Sequence, residues 1–142
     1  MIGTGRGGSE LDAYRSVESA GARPEDFMKM GLDAARIALL RAEAAMRAGE
    51  RPEKARALAS AGNVVEFLLG IAGIEPGDLS DRLCAVYRFA LAAILKGNAV
   101  DDSEAVAAAR VALEELAAVW RNLYPDAGAA EAVTTTGSAI NA

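Results

Sequence analysis

The sequence contains no histidine among its 142 residues. Histidine is the most versatile general base and a frequent zinc ligand, so the usual histidine-dependent catalytic and metal sites are excluded. The single cysteine, Cys84, cannot form an intramolecular disulfide and has no histidine to activate it as a nucleophile. The glycine-rich residues 3–8 lack the Gly-Lys-Ser/Thr ending of a phosphate-binding loop. We therefore expect a protein that is not an enzyme and has no catalytic residue, no metal and no cofactor.

Positive charge and long apolar runs are also scarce. Fifteen Lys and Arg residues stand against 20 Asp and Glu, and the net charge of −5 argues against binding of nucleic acid or anionic lipid. The longest nearly uncharged stretch, residues 83–95, contains Arg88, whereas a bilayer-spanning helix needs about 20 apolar residues. Residues 1–9 lack the apolar segment of a secretion signal. The sequence predicts a cytoplasmic protein without direct membrane insertion.

Helix-forming residues dominate what is present. Alanine occurs 33 times and leucine 14 times, against 19 Val, Ile and Thr residues together, which favours an all-α fold. Proline and glycine breaks separate four predicted helices, at residues 24–48, 52–73, 78–98 and 102–124. Asp101 and Glu104 have the spacing of a capping box for the last helix. Short connections predict an antiparallel up-down four-helix bundle. The predicted organisation is a mobile N-terminal arm (residues 1–23), the bundle (24–124) and a disordered C-terminal tail (125–142).

Each predicted helix carries apolar residues at alternating spacings of three and four, which is typical of one buried face. The predicted core positions are Met28, Leu32, Ala35, Leu39, Ala42 and Met46 in the first helix, Leu58, Ala61, Val65, Leu68 and Ala72 in the second, Leu79, Leu83, Val86, Ala90 and Ala93 in the third, and Val106, Ala109, Leu113, Leu116, Trp120 and Leu123 in the fourth. Residues 29–56 hold seven basic and four acidic side chains, which we interpret as a solvated face with ion pairs such as Glu43 with Arg47.

The second and third helices have more apolar residues than one buried face requires. Glu66 is the only charged residue from 64 to 74, and Arg88 the only one from 83 to 95. Phe67 and Leu91 lie outside the predicted core faces, so these helices are expected to be covered on several sides. Three covers fit this pattern: the amphipathic or extended segments of another protein, a second copy of this chain, or its own terminal segments.

An ordered set of residues resembles the flagellin export chaperones, the FliS family, over residues 13–124. The residues that carry the resemblance are Ala13, Tyr14 and Val17 to Ala20 in the arm, Pro24, Met30 and Asp33 in the first helix, Leu83 and Tyr87 in the third, Asn98 before Asp101 and Asp102, and Trp120 near the end of the fourth. The resemblance implies an antiparallel four-helix bundle in the bacterial cytosol.

The resemblance also implies a function and a set of contact residues. It implies one-to-one binding of the disordered C-terminal segment of flagellin, which prevents premature polymerisation and assists delivery to the flagellar secretion apparatus, with the export-gate protein as a further partner. It gives Tyr14 and Val17 an arm role, and Leu83 and Tyr87 a groove role. With the apolar surplus of the second and third helices, the expected partner-binding residues are Tyr14, Val17, Val64, Phe67, Leu68, Ile71, Leu83, Tyr87, Leu91, Ile94 and Leu95. The alternative function is a structural homo-oligomer that associates through this helix 2/3 surface.

Overall fold

The computed structural model describes residues 23–125, which form four α-helices. The helices are α1 (Pro24–Ala48), α2 (Arg51–Ala72), α3 (Asp78–Val100) and α4 (Ser103–Leu123). No strand occurs in this part of the chain. The four predicted helices are confirmed, with ends that differ by at most two residues. The predicted arm and tail lie outside the described residues, except for Arg23 and Pro125, which flank the helices.

Local chemistry explains where the helices begin and end. Pro24 occupies the first turn of α1, where its missing N–H has no intrahelical partner to lose. Gly49 ends α1 in the left-handed conformation, at φ 72°. The N-cap of α4 is Asp102, whose Oδ1 accepts a hydrogen bond from the Ala105 N–H at 3.1 Å. The predicted capping box at Asp101 is therefore wrong by one residue, because Asp101 is itself left-handed at φ 57° and ends α3.

Each helix packs against two neighbours, in the cyclic order α1–α2–α3–α4. Connections of two to five residues join sequential helices, so neighbours run antiparallel. We call the end of the bundle where α1 and α3 begin the open end, and the opposite end, with the two short turns, the hairpin end. The two terminal segments of the chain both continue from the open end.

The core confirms the predicted faces of α1 and α2, where only Met46 is half-buried rather than buried. The predicted face of α3 is partly wrong. Leu79 is 47% exposed and Val86 half-buried, whereas Cys84, Tyr87 and Ile94 belong to the core. At 100° per residue, the true core face of α3 is rotated by roughly 60° from the predicted one.

The predicted face of α4 also needs a correction at its C-terminal end. Leu123 is exposed, and Leu116 is half-buried. Trp120 is the last buried residue of α4.

Three side-chain hydrogen bonds satisfy polar groups in and around the core. The Tyr87 hydroxyl donates to the Met28 sulfur, which links the diagonal helices α3 and α1, and burial raises the pKa of this phenol. At the open end, the Ser80 hydroxyl donates to the Ala72 carbonyl at 2.6 Å and the Trp120 indole N–H donates to the Glu25 carbonyl at 3.0 Å. Among the described residues, every buried side-chain N or O atom has a hydrogen-bond partner.

Two of the helices, α2 and α3, are long and apolar enough to cross a membrane by length and composition alone. The core helix of a soluble protein passes the same test. Both helices lay one face in the bundle core, where Val65 of α2 and Tyr87 of α3 are fully buried. Their composition is thus accounted for by the bundle together with the apolar surfaces described below.

Gly97 allows α3 and α4 to approach closely, whereas Gly62 only lowers the helix propensity of α2. A Cβ atom on Gly97 would collide with the Val106 side chain of α4, whereas a Cβ on Gly62 would meet only Ile94, at 4.0 Å. We expect Gly97→Ala to destabilise the protein by about 1–3 kcal/mol through overpacking. Gly62→Ala should instead stabilise it by about 0.5–1 kcal/mol through helix propensity. Urea unfolding of the two variants checks these opposite signs; equal effects would contradict the packing of α3 on α4.

A buried lysine ties the hairpin end together. The Lys54 ammonium donates to Asp101 Oδ1 at 2.7 Å and to the Asn98 carbonyl at 3.5 Å, which joins the start of α2 to the end of α3. This hydrogen bond and the lysine charge lower the pKa of Asp101 below its ordinary value of 3.8. The stabilisation is therefore fully present at pH 7 and is lost as the pH falls through the depressed pKa.

We expect Asp101→Asn to lower the Tm at pH 7, because Asn tolerates the left-handed backbone but leaves the buried ammonium without its carboxylate. The difference in Tm from the parent should begin to shrink below about pH 3.8, where the unfolded chain takes up a proton at Asp101. It should be lost at lower pH, once the folded carboxylate with its depressed pKa is protonated as well. Thermal unfolding followed by circular dichroism between pH 2.5 and 7 measures this (~0.5 pH steps suffice for a single titration). Asp33→Asn, which removes an exposed pair with Arg36, is the control and should change little. A Tm difference independent of pH would contradict the ion pair.

Candidate binding surfaces

Contacts between neighbouring helices fix which side of each helix faces which groove. Gly31 of α1 lies against Leu68 of α2, and Gly97 of α3 against Val106 of α4. Glu43 and Arg110 form an ion pair across the groove between α1 and α4. The remaining side chains follow from these anchors at 100° per residue. The bundle thus has four sides, each named below by its two helices.

The structure distributes the predicted partner-binding residues between the core and the surface. Leu68, Ile71, Leu83, Tyr87 and Ile94 are buried in the bundle core. Val64, Phe67 and Leu91 are half-buried and pack against the core, and Leu95 is 70% exposed. Tyr14 and Val17 lie outside the described residues. Much of the apolar surplus of the third helix is thus the core of the bundle itself, which the rotated face of α3 explains.

The surface residues of this set do not form one helix 2/3 surface. Val64 and Phe67 lie on the side of α2 that carries Leu68 and faces α1. The exposed Met30 of α1 lines the groove between α1 and α4 instead, and Arg41, Glu53 and Arg56 line the hairpin half of the α1/α2 side. The apolar part of the α1/α2 side that Val64 and Phe67 form lies toward the open end.

The α2/α3 side carries the other members of the predicted set. Leu91 and Leu95 lie on the side of α3 that faces α2, beside the half-buried Leu69. Leu95 is the most exposed apolar residue of this side.

The α3/α4 side is apolar as well, and the sequence analysis missed it. Five of its large apolar side chains are exposed: Leu79, Phe89, Val100, Val119 and Leu123. The apolar spacing predicts Leu79 and Leu123 in the core, and it predicts no role for Phe89, Val100 and Val119. A second apolar stripe on α3 could have predicted this side. Its residues Cys84, Tyr87, Leu91 and Ile94 keep the spacing of three and four. A core face centred on that stripe leaves Leu79 and Phe89 outside the core.

The α1/α4 side is charged. The Arg110 guanidinium is held by Glu43 across the groove and by Glu114 at 2.9 Å on its own helix, and the hydrogen bond to Glu43 raises its pKa. Arg36 pairs with Asp33 at 2.9 Å. The predicted pairing of Glu43 with Arg47 is wrong, because Glu43 reaches across to α4 instead.

A cavity of about 560 Å³ opens at the open end of the bundle. Met28, Leu83 and Trp120 form its apolar floor, and Tyr124 stacks on Trp120 with ring centroids 4.8 Å apart. Since α1 starts beside this cavity, the preceding residues of the chain enter the described structure here.

Residues 23–125 contain no group of three or more His, Cys, Asp or Glu side chains arranged to hold a metal ion. Cys84 is buried beside the Ser80 hydroxyl. Apolar side chains are exposed or half-buried on the α1/α2, α2/α3 and α3/α4 sides, and surfaces of this kind are typical of sites for apolar segments of polypeptides. The fold is thus that of an antiparallel four-helix bundle with apolar surface outside its core.

Comparison with known proteins identifies the family. The family model described as flagellar protein FliS matches residues 8–127. The flagellar secretion chaperone FliS of Salmonella typhimurium (strain LT2) is 30% identical over 125 residues, which are 84% of this chain and 93% of that protein. The chain belongs to the FliS family of flagellar secretion chaperones. This is a chaperone family rather than an enzyme family, and the resemblance stated from the sequence is confirmed.

Proposed function

We propose that this protein is a bacterial cytosolic chaperone that binds the disordered C-terminal segment of flagellin one to one. Binding keeps flagellin from polymerising before export and assists its delivery to the flagellar secretion apparatus, where the export-gate protein is the receiving partner. Membership of the FliS family supports a role in flagellar secretion. The observation that carries the flagellin-binding proposal is that apolar side chains are exposed or half-buried on three consecutive sides of one bundle.

The distribution of this apolar surface favours an unfolded partner. A folded partner covers one side of a bundle, whereas the apolar residues extend from Phe67 on the α1/α2 side to Phe89 on the α3/α4 side. A disordered polypeptide can wrap around several sides and bury apolar residues on each, although ordering it costs free energy. A flagellin segment without structure of its own fits that requirement.

The proposed contact residues differ in how accessible they are to a partner. Leu95 and the half-buried Val64, Phe67 and Leu91 are accessible to a partner without any change in the bundle. The buried Leu68, Ile71, Leu83, Tyr87 and Ile94 make contact only where their neighbours move aside. We include the exposed residues of the α3/α4 side among the contacts, because they extend the same apolar belt.

The arm is proposed to act at the same surfaces. Tyr14 lies nine residues before the first described residue, Arg23, at the open end. A chain of that length reaches roughly 30 Å when extended, which is enough to place Tyr14 and Val17 over the open-end cavity or along an adjoining side. There they cover apolar surface in the free protein or hold flagellin in the complex.

Titration calorimetry with the full chain tests the proposal. The ligand is a synthetic peptide of the flagellin C-terminal segment encoded by the same genome, and the control is a peptide of identical composition in scrambled order. We expect saturable one-to-one binding of the native peptide only, with a negative heat-capacity change from apolar burial. Absence of binding, together with a stable oligomer of the free chain in light scattering, would instead support the alternative of a structural homo-oligomer.

A further inference from the structure

The open-end cavity combines an apolar floor with a rim of carboxylates. Its volume of about 560 Å³ lies within the roughly 300–1,000 Å³ of ordinary ligand sites. Glu25, Glu75 and Asp78 line it, and no Lys or Arg lines it among the described residues. None of these three carboxylates forms an ion pair with a residue in the described part of the chain. Residues 23–125 thus give the cavity three negative charges and no positive one.

Two of the three carboxylates have a structural role, and the third does not. Glu25 and Asp78 occupy the first turns of α1 and α3, where negative charge complements the helix dipole. Glu75 instead follows the C-terminal end of α2, which stops at Ala72 without a basic residue in its last turn. Negative charge at that end of a helix is unfavourable, whereas positive charge is favourable. A cation supplied by a partner would therefore be attracted both to Glu75 and to the end of α2.

Aromatic rings complete the surroundings that a cation would meet. Tyr124 is half-buried and lies against Trp120, and both rings line the cavity beside Met28 and Leu83. The Trp120 indole N–H is bonded to the Glu25 carbonyl, which fixes the orientation of its ring. A guanidinium group stacks on aromatic rings and binds carboxylates through paired N–H groups, whereas an ammonium group is a compact, strongly hydrated charge. These surroundings favour arginine over lysine.

We propose that the open-end cavity binds an arginine side chain of the bound polypeptide, with the guanidinium beside Glu75 and Tyr124 and a neighbouring apolar side chain against the floor. The inference rests on the proposed function, since the polypeptide bound on the sides of the bundle would bring this arginine with it. Leu79 both lines the cavity and is exposed on the α3/α4 side, so the two apolar surfaces are continuous. An arginine site fixes the position of the partner's sequence on the bundle, which apolar contacts alone leave free.

Fluorescence of Trp120, the single tryptophan of the chain, reports on the cavity directly. The probe is acetyl-Ala-Leu-Arg-Leu-Ala-amide, titrated into the full chain, and the control peptide has Gln in place of Arg. We expect saturable binding of the arginine peptide, about tenfold tighter than that of the control peptide, which corresponds to about 1.4 kcal/mol. The difference should shrink at about 0.5 M NaCl, where the Debye length is about 4 Å, because Glu75 and Asp78 are exposed.

Glu75→Gln tests the cation site within the cavity. The variant should bind the arginine peptide no more tightly than the control peptide, while its Tm stays equal to that of the parent or rises, because the end of α2 loses a like charge. The matched control is Glu115→Gln, which removes an exposed carboxylate from the middle of α4 and should keep the parent affinity for the arginine peptide.

Equal affinities of the two peptides, or equal losses of affinity in Glu75→Gln and Glu115→Gln, would overturn the arginine site. A fluorescence change that depends on protein concentration without peptide would also overturn it, because a second copy of the chain would then occupy the cavity. Calorimetry with the flagellin segment separates this outcome from failure of the proposed function. Binding of that segment without any preference for the arginine peptide overturns the arginine site alone, whereas absence of flagellin binding overturns the proposed function.

Discussion

Aspartate in place of Leu95 is expected to weaken binding of the flagellin C-terminal segment about 100-fold while the bundle stays folded. Leu95 is 70% exposed, so a charge there remains hydrated in the free protein and costs little stability. A partner that covers Leu95 would desolvate the carboxylate without pairing it, at a cost of several kcal/mol. Since about 1.4 kcal/mol is tenfold in affinity, a penalty of about 3 kcal/mol gives this loss.

Leu40→Asp is the matched control for Leu95→Asp. Leu40 is also an exposed leucine of the bundle, at 41%, but it lies toward the charged α1/α4 side. Its replacement should leave both the Tm and the calorimetric affinity close to the parent values. Normal flagellin binding by Leu95→Asp would place the binding surface on another side. Phe67 and Leu91 are less suitable positions for a charged substitution, because both pack against the core. A charge there would lower the stability of the bundle, so a loss of affinity could not be assigned to the binding surface alone.

Alanine in place of Leu113 is expected to reduce the free energy of unfolding by about 2–5 kcal/mol. Leu113 is fully buried on α4, where the side chain fills the core and forms part of the floor of the α1/α4 groove. Its truncation loses the transfer free energy of the removed methyl and methylene groups and leaves a cavity that the rigid helices fill only in part. Urea unfolding followed by circular dichroism measures the change.

Val111→Ala is the corresponding control on the same helix. Val111 is 43% exposed and faces away from the core, so its truncation should change stability by less than about 0.5 kcal/mol. The contrast between two truncations only two residues apart reports the orientation of α4 directly. Similar costs at the two positions would mean that α4 is rotated relative to its place in the bundle.

Local sequence determined the helices and most of the core in this protein. Helix formation depends on propensity and end signals over a few residues, and Pro24, Pro52 and Gly49 mark boundaries that the structure confirms. In α1 and α2 the apolar residues form a single narrow stripe. Only one orientation of each helix buries that stripe in the core, so the buried faces of both helices could be predicted. The ordered set of arm, helix and cap residues also sufficed to place the chain in its family.

Tertiary packing decided what the periodicity left open. Apolar residues cover more than one face of α3, so their periodicity alone cannot predict which of them meet the core. The rotation of α3 is fixed by the contact of Gly97 with Val106 and of Tyr87 with Met28. That rotation buries Tyr87 and Ile94, two of the predicted contact residues, and exposes an apolar α3/α4 side instead. The partner of Glu43 was equally beyond local reasoning, because Arg110 is 67 residues away in sequence and becomes a neighbour only when α4 closes the bundle against α1.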